Sequence, residues 1–254
     1  MSTRRSVMSE RSQRIVLWWA IVFALIYGFA LVFLLHMVPP PSATWSAEHI
    51  AAWYAEHHTS IRIGAVIAGF TSAYMLPLSV VIALQMSRVE KGRPIWSALV
   101  MCGGAMMSIF LVLPPIFWGV AAFTPTRAPD ATALMHELGM LTLTTTDQYY
   151  IFMWVAIVVI CLTPTRVKHS PFPRWFAYLS AWIALMFEAG IFAFLARTGP
   201  FAWNGLLVFW SPLSLFGVWI AVQCYLVFKA LRAQMEDDDP DAVVDELEAV
   251  PTAG

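Results

Sequence analysis

Six long apolar runs, separated by short polar or proline-rich breaks, set the pattern of this 254-residue chain. They cover residues 15–37, 61–86, 95–123, 134–162, 175–195 and 206–231. An α-helix needs roughly 20 such residues to cross the hydrocarbon of a bilayer, so the pattern predicts an all-α bundle of six transmembrane helices. Pro39, Pro40 and Pro41 stop the first run, because proline has no backbone N–H to continue the ladder. Between the first two runs, Ser46 stands where an N-cap would, and Ile50, Trp53 and Tyr54 alternate at helical spacing with Glu48, Glu56, His57 and His58. That stretch predicts a short amphipathic helix lying at the membrane surface. Inside the runs, Pro77 predicts a kink, and Pro114 with Pro115 a break in regular helix; Pro212 falls within the last run. Gly103, Gly104 and Ser108 form a small-residue patch that lets another helix come close.

Charge adds direction to the pattern. Four Arg precede the first run, three basic residues follow the second, three follow the fourth, and Lys229 and Arg232 end the sixth, while Arg62, Arg127 and Arg197 are alone on the alternate side. Twelve of the fifteen Lys and Arg therefore mark one side, which places both termini in the cytoplasm of a bacterial cell whose inner membrane the chain spans. Residues 1–14 read as a basic cytoplasmic N-terminus, 15–231 as the membrane domain, and 232–254 as an acidic, disordered tail. The first run exceeds the length of a signal-peptide core and no A-x-A site follows it, so it reads as a retained span. Trp45, Trp53, Trp96, Trp118, Trp175 and Trp203 fall near the span ends, as an interfacial aromatic belt would.

Composition sharpens the exclusions. The chain is 59% apolar and only 12% charged, where soluble domains carry about 25% charged residues. Its partner is the lipid bilayer, and no basic face suits nucleic acid. Cys102, Cys161 and Cys224 lack metal or redox spacing, and no P-loop or other phosphate-cradling glycine motif occurs, so neither cofactor nor metal is expected.

Candidate chemistry gathers in the fourth run. His136, Glu137 and Asp147 are ionisable groups in a stretch that otherwise reads as a span, and each costs roughly 2.5–3.5 kcal/mol to insert. On a continuous helix Glu137, Thr144 and Gln148 share one stripe, with His136 and Asp147 on its flank. The topology puts Asp147, Glu188 of the fifth run and Arg62 of the second in the same outer half of the membrane, where Arg62 is expected to pair with one or both carboxylates. Such a pair serves either a polar pocket or only helix register. His136 and Glu137 alternatively sit in interfacial water, and His57 and His58 are expected to be solvated.

The stretch Phe172, Pro173, Arg174 and Trp175, and then Thr198 through Gly205 (TGPFAWNG), resembles a family of uncharacterised integral membrane proteins common in actinobacteria. The likeness covers roughly residues 60–232. It implies the six-helix fold and assigns no catalytic residue. TGPFAWNG itself reads as a tight outer loop above the polar cluster, with Trp203 anchored at the interface and Asn204 capping the last helix. The leading expectation is an outer-half polar pocket for a small lipophilic molecule. The alternatives are a membrane-embedded acid/base enzyme, a cyclase or isomerase using Asp147 or Glu188 as proton donor, and a structural subunit needing a membrane-protein partner.

Overall fold

In the computed structural model, residues 2–237 apart from 166 are described. They form eight α-helices: α1 (Ser2–Phe29), α2 (Ala47–Thr71), α3 (Met75–Val89), α4 (Ile95–Phe123), α5 (Pro129–Thr145), α6 (Ile151–Leu162), α7 (Arg174–Glu188) and α8 (Ser211–Asp237). Short 3₁₀ or π turns bridge or extend several of them, and no strand occurs among the described residues. Five helical stretches are long and apolar enough to cross a membrane, one of them running through α2 and α3 as Ala47–Val89. The α5–α6 stretch is divided, and α6 alone has 12 residues, about 18 Å at 1.5 Å per residue.

The amphipathic stretch is not a separate surface helix. Ser46 does cap it, its Oγ accepting from the His49 amide at 3.3 Å. The helix then continues without interruption to Thr71, because Ile50, Tyr54, Ile61, Gly64, Ala68 and Thr71 make one buried stripe against the bundle. The face expected to rest on lipid rests on protein. His57 is correspondingly half-buried, its ring 4.6 Å from that of His36 and 5.0 Å from that of Trp53.

Proline positions explain where the helices bend and where they do not. The α2–α3 stretch is interrupted by a 3₁₀ turn, Ser72–Tyr74, so Pro77 falls in the first turn of α3, where a missing N–H is best tolerated. Pro212 is likewise the second residue of α8, after a π turn at Leu206–Trp210. The break expected at Pro114 and Pro115 is absent, and α4 runs regularly through both. Pro115 deprives the Leu111 carbonyl of its helical donor, and the Tyr27 hydroxyl of α1 donates to that oxygen instead, at 2.8 Å. Tyr27→Phe is expected to lower unfolding stability by about 1 kcal/mol, read from equilibrium unfolding in detergent, with no change in helix content.

The glycine patch acts as expected, on two neighbours at once. A Cβ at Gly104 would lie 2.3 Å from the Ser79 Cβ of α3, and one at Gly103 2.6 Å from the Met153 Cβ of α6. At the end carrying the basic loops, Gln85 donates to Gln13 at 2.9 Å and accepts from Arg88 and Gln234, so one amide ties α1, α3 and α8 together. There Glu90 caps α4, its carboxylate accepting from the Trp96 and Ser97 amides and the Ser97 hydroxyl. Slight burial opposes ionisation, but these donors outweigh it and hold the carboxyl below the usual glutamate range. The helix of the C-terminal part extends to Asp237, into the stretch expected to be disordered; residues 238–254 of that stretch lie outside the described residues.

Candidate functional site

The polar cluster sits at an interruption in what the sequence presents as one helix. Thr144, Thr145 and Thr146 each turn their hydroxyl back onto the carbonyl four residues earlier, at 2.7–2.9 Å. Such back-bonding competes with the helical ladder and bends it, and three in succession end α5. Asp147–Tyr149 forms a 3₁₀ turn, and α6 restarts at Ile151. The stripe of Glu137, Thr144 and Gln148 is therefore not one helical face.

Gly190, on the 3₁₀ extension of α7 (Ala189–Phe194), seals this junction. A Cβ there would lie 1.9 Å from the Thr144 carbonyl oxygen and 2.9 Å from Asp147 Oδ2. The approach brings Asp147, Gln148 and Glu188 together. The Tyr150 hydroxyl donates to Asp147 Oδ1, Gln148 Nε2 donates to Glu188 Oε2 at 3.3 Å, and Glu188 Oε1 is buried with no partner among the described residues. Asp147 is 3% exposed.

Arg62 does not join them. It lies one position beyond Ile61 of the buried α2 stripe, which turns it to the surface, and its guanidinium rests 5.2 Å from the Phe123 ring centroid in a groove between α2 and α4. Arg197 pairs with Glu137 at 3.6 Å and Arg232 with Glu236 at 2.8 Å, and neither carboxylate of the cluster has a cationic side chain as partner among the described residues.

The remaining candidates separate. Glu137 is at the surface with Arg197, where an ion pair contributes at most about 1 kcal/mol. His136, adjacent in sequence, is fully buried rather than interfacial: Nδ1 is 3.0 Å from the Tyr54 hydroxyl, the ring meets Trp203 edge-on at 6.0 Å, and Nε2 has no partner among the described residues. Asn204 does not cap the last helix. Its Oδ1 accepts from the Ala43 amide at 3.5 Å, and Gly205 precedes the π turn. Trp203 is likewise a buried strut, 4% exposed, donating to the Pro41 carbonyl at 2.9 Å, and Trp118 is also buried within the bundle.

Asp147 and Tyr150 line a cavity of about 220 Å³ bounded by α1, α4, α5, α7, α8, the π turn before α8 and the turns at Tyr74 and Asp147. Its other walls include Tyr27, Tyr74, Phe187 and Phe216, which no motif or charge in the sequence singles out. Gly28 of α1 and Gly217 of α8 also line it, and a Cβ at either would meet nothing within 4 Å. Two glycines in otherwise apolar helices are the sequence signal that was available. Among the described residues no group of three or more His, Cys, Asp or Glu could hold a metal.

The fold defines a class: a helical bundle with the helix composition of a multi-pass integral membrane protein, here with a mostly apolar cavity that opens at the surface beside Gly217. No family model, curated protein or solved structure matches the chain.

Proposed function

We propose that this chain is a six-span bacterial inner-membrane protein that holds a small lipophilic molecule in the cavity beside Asp147, as a carrier or accessory component. In this reading α5 and α6 together make the span that neither makes alone, and the Lys and Arg distribution keeps both termini cytoplasmic. The observation that carries the proposal is the cavity of about 220 Å³, apolar on most sides, with Asp147 and Tyr150 at its polar wall. Apolar walls with a few convergent polar groups are the usual makeup of ligand sites. An apolar cavity of about 150 Å³ already takes up benzene, so this one suits a molecule somewhat larger than a single ring and excludes a whole phospholipid.

Filling the cavity tests this directly. Gly28→Leu and Gly217→Leu place a side chain in open space and replace glycine by a good helix former, so each variant is expected to fold with unchanged or higher stability. Mass spectrometry of organic extracts from purified wild-type protein is expected to show a small molecule, beyond bulk lipid, that both variants lack. Equal recovery from all three proteins, or none from wild type, would sink the proposal.

A further inference from the structure

The cavity's chemistry is one-sided. Three of the four hydroxyls on its wall have already committed their protons: Tyr27 to the Leu111 carbonyl, Thr144 to the Met140 carbonyl and Tyr150 to Asp147. Their oxygens remain as acceptors on that wall, and so does the Asp147 carboxylate, for which no cationic side chain is within ion-pair reach among the described residues. The rest of the wall is aromatic. Tyr27 and Tyr74 have ring centroids 5.6 Å apart, Tyr150 and Phe187 6.4 Å, and Phe187 and Phe216 5.7 Å.

A wall with more acceptors than donors, a buried carboxylate without a counter-charge and a lining of aromatic rings are complementary to one kind of guest. We propose that the cavity takes a small organic cation, an amine or quaternary ammonium, with Asp147 as its counter-charge and Tyr27, Tyr74, Tyr150, Phe187 and Phe216 as its cage. The proposal rests on the reading of this cavity as a ligand site and names the chemical class of the ligand. Ring faces carry negative charge density and attract a desolvated cation, whereas a neutral hydrocarbon gains only contact area. An uncompensated carboxylate in a low-dielectric site is costly, and a bound cation removes that cost. A hard metal ion is a poor alternative, since it wants six or more oxygens.

The test compares benzyltrimethylammonium with neopentylbenzene, which has the same shape and no charge. Both are equilibrated by dialysis with the purified full-length protein in detergent, and partition into protein-free micelles is subtracted. The cation is expected to bind at least about tenfold more tightly. Asp147→Asn is expected to abolish that preference and leave neopentylbenzene binding within about twofold. Phe216→Leu keeps the carboxylate and removes one ring, so it serves if the Asn variant fails to fold; it is expected to weaken the cation at least about threefold and the hydrocarbon less than that. Equal or tighter binding of the hydrocarbon overturns the cation proposal and leaves the lipophilic site standing. Binding of neither probe overturns the cation proposal, while the extraction of wild-type and glycine-filled proteins separately decides whether the cavity is a ligand site.

Discussion

Gly190→Ala is expected to be the most damaging single-methyl change in this protein, lowering unfolding stability by at least about 3 kcal/mol or preventing accumulation of folded protein. The added Cβ would sit 1.9 Å from the Thr144 carbonyl oxygen and 2.9 Å from Asp147 Oδ2. Overpacking in a tight core costs about 1–3 kcal/mol when side chains can move aside, and more when they cannot. Here the obstacle is backbone at the end of α5, held by three threonine back-bonds, so relief means pushing α7 off the junction. That movement also separates Gln148 from Glu188 and opens the wall behind Asp147. The measurement is folded yield by size-exclusion chromatography, followed by unfolding in a graded denaturing detergent. Wild-type stability in Gly190→Ala would mean that α5 and α7 do not meet as described.

Much of the bundle is readable because bilayer solvation makes a long apolar run nearly synonymous with a helix. The runs at 95–123 and 175–195 correspond closely to α4 and to α7 with its 3₁₀ extension, and Gly103 and Gly104 announce close helix contacts before any partner is known. What escapes the pattern is anything decided by a partner distant in sequence. The Leu111 carbonyl that Pro115 leaves without a helical donor is satisfied by a hydroxyl 84 positions away, a partner that local proline rules cannot see when they foretell a break. Depth alone assigns Arg62 to the carboxylates. Depth does not fix azimuth, and one residue is a rotation of 100° around α2, enough to turn it from the stripe of Ile61 to the surface. The same rotation separates buried His136 from half-buried Glu137 at the surface. The break at Asp147 was the accessible miss. Three consecutive threonines in LTLTTTD are a local signal for back-bonding, overshadowed by the hydropathy of the surrounding run.

Gly104→Ala is expected to cost about 1–3 kcal/mol, and, unlike the change at Gly190, to have its overlap relieved by a second substitution. Its new Cβ would lie 2.2 Å from Ser79 Oγ and 2.3 Å from Ser79 Cβ, with the Met75 carbonyl at 3.0 Å. The first two atoms belong to a side chain, so Ser79→Gly removes both and leaves only a contact that a few tenths of an ångström relieves. Alone, Ser79→Gly is expected to cost about 1 kcal/mol through helix propensity, and its hydroxyl bonds only to the Leu76 carbonyl within its own helix. A double-mutant cycle isolates the overlap, because the pair should be more stable than the two single losses summed, by roughly 1–2 kcal/mol. The expected order in unfolding experiments is wild type, Ser79→Gly, then the double variant above or level with Gly104→Ala. Strict additivity would mean that α3 and α4 can separate freely at Ser79. At Gly190, by contrast, no side-chain deletion can help, since the nearest atom is a peptide oxygen. The two glycines therefore distinguish a crossing that side chains define from a junction that the backbone defines, and the second is the one beside the cavity.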